Sequence, residues 1–177
     1  MADYNYEFKI PHERVAVLIG TDGKVKKELE SLTNTTIKVD SKEGDISVSG
    51  EDPIGLFNVR EIISAIGRGF NPDIAKLLLK PDYCFETVNL QDYCKTKNDM
   101  ERLKGRVIGT AGKCRHIIEE LSEVSISIYG KTISIVGEAA RVSIARRAVD
   151  SLLQGSMHSK VYRWLESQRR EIKRSTL

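Results

Sequence analysis

The chain alternates between two hydrophobic periods. Tyr6–Ile10 and Cys84–Asn89 place polar and apolar residues in turn, the period of a half-buried strand. Glu13–Ile19 and Glu101–Ile108 predict short helices, each halting at a glycine. A further helix is predicted to begin near Lys24 and, later, near Lys113. Val25, Leu29 and Leu32, or Cys114, Ile118 and Leu121, then form one apolar stripe at i, i+4 and i+7. Thr36–Val39 and Ser125–Tyr129 are β-branched and alternating, and predict strands. Turn residues at Ser41–Asp45 and Gly130–Lys131 lead into third strands, Ile46–Ser49 and Thr132–Val136. A long helix closes each set. The second runs over Ala139–Leu153, with Val142, Ala145, Ala148, Val149 and Leu152 on one face. Between the sets, Pro72–Leu79 is a helix candidate, its proline suited to the first helical position after Asn71. A final helix, Ser156–Lys173, puts Met157, Val161, Trp164, Leu165 and Ile172 on one side.

These two sets are one pattern repeated. Val17–Lys24 returns 89 residues later as Arg106–Lys113, with Ile-Gly-Thr-x-Gly-Lys in both. The apolar positions recur at the same offset, and Ile46–Glu51 returns as Ile133–Glu138 after a loop shortened by two residues. Glycines, apolar positions and closing Gly-Glu in the same order describe a duplicated domain. The predicted class is therefore α+β: strand, helix, helix, strand, strand, helix, twice. Each copy is a three-stranded sheet covered on one face by helices, with domains over 1–80 and 81–177 and an added C-terminal helix.

Charge separates the copies. The net charge is only +3, but residues 1–80 hold 11 Lys and Arg against 13 Asp and Glu, and residues 81–177 hold 17 against 12. A polyanion is expected to favour the second half. The three cysteines, Cys84, Cys94 and Cys114, lack Cys-x-x-Cys spacing, and the three histidines form no ligand-like pair. Neither a zinc site nor a disulfide scaffold is expected, although the spacing leaves a Cys84–Cys94 bridge open. No basic-then-apolar leader opens the chain and no stretch has the ~18 apolar residues of a membrane span. A soluble, cytoplasmic protein that does not engage membranes is expected.

The glycine tetrads carry the candidate chemistry. A helix-Gly-x-x-Gly-helix turn lets a ligand's backbone come close and aims the next helix's free amides at it. Such a concavity suits a phosphate. In the second copy the candidate RNA-binding residues are Lys104, Arg106, Ile108, Gly109, Thr110, Ala111, Gly112, Lys113 and Arg115. In the first they are Gly20, Thr21, Gly23, Lys24 and Lys27. Asp22, inside the first tetrad, would face a phosphate with a like charge, so the first copy is expected to be the weaker one. Apolar residues such as Val107, Ile108, Ile117 and Ile128 are core by default, with those at the rim able to floor a groove. Bases can reach such a groove only when unstacked, so the expected ligand is single-stranded.

Ile19–Gly23 and Ile108–Gly112 resemble the Ile-Gly-x-x-Gly turn of the type I KH domain, over nearly the whole chain. That family often carries a basic residue at the variable positions; Thr21-Asp22 and Thr110-Ala111 depart from it. The stretch Leu103–Gly109 and the tail Arg169–Lys173 are similar to archaeal and eukaryotic ribosome-assembly proteins of the partner of Nob family. The compact length favours an archaeal member. That resemblance implies binding near the 3′ end of small-subunit ribosomal RNA, with the second KH module the stronger binder. It also implies partnership with a PIN-domain endonuclease or other small-subunit assembly and translation factors.

Two other classes are weighed. A nucleotide-using enzyme is disfavoured, because neither loop fits Gly-x-x-x-x-Gly-Lys-Ser/Thr or Gly-x-Gly-x-x-Gly. No nucleophile, base and orienting group recur around the loops, His116 standing alone, so neither catalytic residues nor cofactors are expected. The remaining alternatives are a KH fold retained as a protein-interaction scaffold and a general RNA-binding or RNA-processing cofactor.

Overall fold

A computed structural model describes residues 4–175 of the chain. These fall into two compact units that divide between Pro81 and Asp82. In the first, β1 (Tyr4–Lys9), α1 (His12–Ile19), α2 (Lys24–Thr33), β2 (Thr36–Val39), β3 (Asp45–Gly50) and α3 (Pro53–Gly67) follow in order, then a short α4 (Pro72–Ala75). The second unit repeats the order as β4 (Tyr83–Asn89), α5 (Lys97–Ile108), α6 (Lys113–Ser122), β5 (Ser125–Tyr129), β6 (Thr132–Glu138) and α7 (Ala139–Leu153). It then adds α8 (His158–Ser175). Both sheets are antiparallel, with the third strand in the middle: β1-β3-β2 and β4-β6-β5.

The reasons for these boundaries are local. Asp52 caps α3 by accepting from the amides of Ile54 and Gly55, both at 3.0 Å, with Pro53 at the first helical position. α5 begins four residues before the predicted Glu101, because Thr96 accepts from the Asp99 amide at 3.1 Å while donating to the Asp99 carboxylate at 2.8 Å. α2 and α6 end at the same repeat position on a left-handed residue, Asn34 (φ 51°) and Glu123 (φ 54°). Only the first half of the predicted Pro72–Leu79 helix is α-helical; Lys76–Leu79 tightens into a 3₁₀ turn.

Each core lies between sheet and helices. In the first unit Leu18, Leu29, Ile37, Ile46, Val48 and Ile62 are fully enclosed. In the second, Val107, Ile118, Ile133, Ile135 and the whole predicted face of α7 fill the equivalent space. The duplication includes a tether that patterning missed: Glu30 Oε1 accepts from the Ile37 amide at 2.8 Å, and Glu119 Oε1 does the same for Ile126. Each carboxylate starts the following strand against the preceding helix. α8 packs on α6 and α7 through buried Val161 and Leu165. The guanidinium of Arg147 lies 5.1 Å from the Trp164 ring. Met157, placed on the same apolar face by the sequence pattern, precedes the helix and is 72% exposed. All three cysteines are free thiols.

Candidate nucleic-acid interface

The two tetrads have nearly the same backbone. Gly20 (φ 72°, ψ 177°) and Gly109 (φ 73°, ψ 176°) occupy a region that side chains all but exclude. A Cβ on Gly109 would stand 2.6 Å from the Cys114 Cβ, and one on Gly20 would stand 2.5 Å from the Val25 Cγ2. The first glycine of each tetrad is thus required both by dihedral and by space. Asp22 and Ala111, with φ of 54° and 52°, are themselves left-handed. For Ala111 this conformation costs about 1 kcal/mol, a strain held at the tip of an exposed loop.

A 3₁₀ turn closes each tetrad, the Gly112 amide donating to the Gly109 carbonyl at 3.2 Å and the Gly23 amide to the Gly20 carbonyl at 3.3 Å. α2 and α6 then begin without any side-chain cap. Their first amides, and the positive end of the helix dipole, are therefore available to an anion at the loop. Thr110 and Ala111 are exposed beside them, as are Thr21 and Asp22.

The predicted cations take different positions. Lys113 is exposed and, among the described residues, makes no ion pair. Arg115 is exposed with its guanidinium 3.7 Å from Glu119, and Lys104 is paired with Glu101 at 3.0 Å. Arg106 instead ties α5 to the end of α7, its Nε donating to the Leu152 carbonyl at 3.0 Å and its Nη2 to the Ser156 carbonyl at 2.6 Å. Arg14 does the same in the first unit, donating to the carbonyls of Ile66 and Phe70, both at 2.8 Å. In the first tetrad Lys24 is exposed and Lys27 Nζ lies 3.5 Å from the Asp22 carbonyl oxygen, so the loop carries the Asp22 carboxylate with little direct compensation.

Ile108, Ile117 and Ile128 are half-buried, on α5, α6 and β5, while Val107 is fully core. α6 packs on both α5 and β5, so these three supply partly exposed apolar surface on neighbouring elements of the second unit. Beneath the tetrad Cys114 is 2% exposed. Burial pushes its thiol above the ordinary range, partly offset by its hydrogen bond to Tyr162 and the charge of Arg106. Burial likewise raises the Tyr162 hydroxyl, with the Cys114 bond and charge adding to it. A protonated, enclosed thiol is a packing group. Among the described residues no cluster of His, Cys, Asp and Glu could hold a metal ion, and no helix is long and apolar enough to cross a membrane.

Both units match known families. Residues 84–170 match the eukaryotic type KH-domain (KH-domain type I), and residues 5–65 match the KH domain. A KH domain-containing protein of Methanocaldococcus jannaschii is 44% identical over 171 residues, 94% of this chain and 75% of its own length. The pre-rRNA-processing protein pno1 of Schizosaccharomyces pombe is 29% identical over 86% of this chain, which spans about two thirds (66%) of that relative. Among solved structures, the chain is similar to aDim2p in its complex with a/eIF2alpha and rRNA from Pyrococcus horikoshii. There the TM-score is 0.89, with 41% identity over 96% of each chain.

Proposed function

Because the chain belongs to the two-KH-domain family of the Dim2p and pno1 pre-rRNA-processing proteins, we propose that it is a non-enzymatic, single-stranded RNA-binding factor of small-subunit assembly. It works in the cytoplasm and binds near the 3′ end of the small-subunit rRNA. One observation carries the reading: the second tetrad presents exposed Thr110 and Ala111, the uncapped start of α6 and an exposed Lys113 on one strained loop. A phosphate seated there meets backbone donors, a helix dipole and an exposed cation together. Bases beyond it stack against the apolar edge of Ile108, Ile117 and Ile128. Lys104 and Arg115 border the track as partly neutralised cations, and Gly20, Thr21, Gly23, Lys24 and Lys27 form the weaker copy.

Two partners belong to this reading. A PIN-domain endonuclease acting at the bound rRNA end is one; the other is a translation-factor subunit, the class found with aDim2p and rRNA in the solved complex.

Replacing Thr110 and Ala111 together by aspartate puts two carboxylates where the phosphate sits. RNA affinity is expected to fall tenfold or more, about 1.4 kcal/mol, with the fold kept. Thr21→Asp, beside the existing Asp22, is expected to matter much less. Equal losses in the two loops, measured by fluorescence anisotropy, would overturn the assignment to the second unit. Crosslinking to cellular RNA tests the target, with small-subunit rRNA near its 3′ end the expected recovery.

A further inference from the structure

Helix α5 has three faces. Leu103 and Val107 enter the core, and Lys104 and Ile108 lie to one side. Arg102, Gly105 and Arg106 lie to the other. With Gly109 and Thr110 they wall an open cleft of about 500 Å³, completed by Lys113 of α6 and by His158 and Tyr162 of α8. The cleft thus shares the tetrad with the apolar side of the loop but opens on the opposite side of α5.

Its chemistry points to a phosphodiester. Among the described residues no carboxylate lines it, while Arg102, Arg106, Lys113 and His158 do. The acid paired with Arg102 is Asp99, at 3.5 Å on the exposed surface. His158 Nε2 lies 2.8 Å from the Arg106 carbonyl oxygen, an acceptor, so that nitrogen carries the proton. The His158 ring meets the Tyr162 ring edge-on, with centroids 6.1 Å apart, so the α8 wall is ordered by its own packing.

The floor is the second observation. Gly105 sits inside a helix, where glycine is less stable than alanine, yet a Cβ there would meet no atom within 4 Å. Neither backbone conformation nor packing within the fold requires a glycine. The missing methyl group leaves the α5 backbone open to something from outside.

The duplication supplies the control. At the same offset the first copy has Glu13 for Arg102, Ala16 for Gly105 and Val17 for Arg106. Only a short α4 and a 3₁₀ turn follow α3, with no helix like α8. The first copy therefore carries a negative charge, a filled floor and no far wall where the second has a cationic cleft.

We propose that this cleft is a second RNA subsite, holding the sugar-phosphate of the nucleotide that flanks the stretch clamped by the second tetrad. The proposal rests on the RNA-binding reading above and extends the track past the roughly four nucleotides a KH tetrad holds. Arg102 and Lys113 neutralise the flanking phosphate, Gly105 lets it approach α5, and the His158–Tyr162 wall bounds it.

The test compares a random-sequence RNA dodecamer with a random-sequence tetramer, on the full chain, by anisotropy and NMR titration. Gly105→Ala is expected to raise the melting temperature, since it strengthens the helix, and yet weaken the dodecamer about fivefold while leaving the tetramer unchanged. Arg102→Glu, which copies the first repeat, is expected to weaken the dodecamer and to lower its log–log salt slope by about 0.7, one phosphate's share on a single strand. Unchanged dodecamer affinity in both variants would overturn the subsite while leaving the tetrad reading intact. Wild-type chain that binds neither RNA would overturn the reading itself and the subsite with it.

Discussion

Replacing Arg106 by alanine separates a structural cation from a ligand-binding one. Its guanidinium spans two carbonyls at the end of α7, Leu152 and Ser156, at 3.0 and 2.6 Å, from a half-buried position. Hydrogen bonds from a charged donor are worth about 1.5–3 kcal/mol each when fully formed and enclosed. Partial exposure reduces that, and a cation at a helix C-terminus adds about 0.3–1 kcal/mol. The net loss expected is therefore about 2–4 kcal/mol. The assay is urea unfolding followed by Trp164, the only tryptophan of the chain, which lies in the second unit beneath Arg147. With a slope of about 1 kcal/mol per molar urea for a unit of this size, the midpoint falls by about 2 M or more. Arg106→Lys keeps the charge but cannot fork to two carbonyls, and about half the loss is expected. An unchanged midpoint for Arg106→Ala, together with a fall in RNA affinity, would refute the tether and make Arg106 a ligand contact.

The remaining predictions concern the tetrad and the alkaline side of the stability profile. Gly109→Ala is expected to cost about 3 kcal/mol or more, adding glycine-only backbone to the 2.6 Å approach of Cys114. Gly112→Ala, left-handed at φ 75° but in open space, is expected to cost about 1–2 kcal/mol; urea midpoints rank the pair. The hydroxyls of Tyr93 and Tyr162 and the thiol of Cys114 all titrate above their ordinary values, burial being the first cause for each. The folded state then holds those protons where the unfolded chain has released them, so stability falls as pH rises past the ordinary thiol and phenol range. Trp164-monitored urea melts should shift to lower midpoints above about pH 9, and Cys114→Ala should flatten the decline. A midpoint that rises with pH would contradict the assigned burial.

How far the fold was legible depends on the range of the force involved. The order of elements, the duplication and the span of α7 follow from hydrophobic period, which is set by each residue's near neighbours. The tetrads were equally legible, because the left-handed and glycine-only dihedrals at Gly109 and Gly112 are demands of the loop itself. The start of α5 was not, since Thr96 and Asp99 cap it from outside the periodic stretch. Charge in the sequence says that cations flank the second loop; Lys113 and Arg115 lie exposed on α6, while Lys104 is held by Glu101.

Where each cation's donors go is a different matter. Arg106 reaches carbonyls 46 and 50 residues away, and the Arg102–Gly105 face acquires a far wall only because α8 folds back onto α6 and α7. By itself the sequence determined two KH-type units, their tetrads and the sign of charge around the second. Only the tertiary structure decided which of those charges hold the fold and which lie exposed at the loop. A hydrogen bond requires partners within about 3 Å, and no pattern along the chain brings α5, α7 and α8 to that distance.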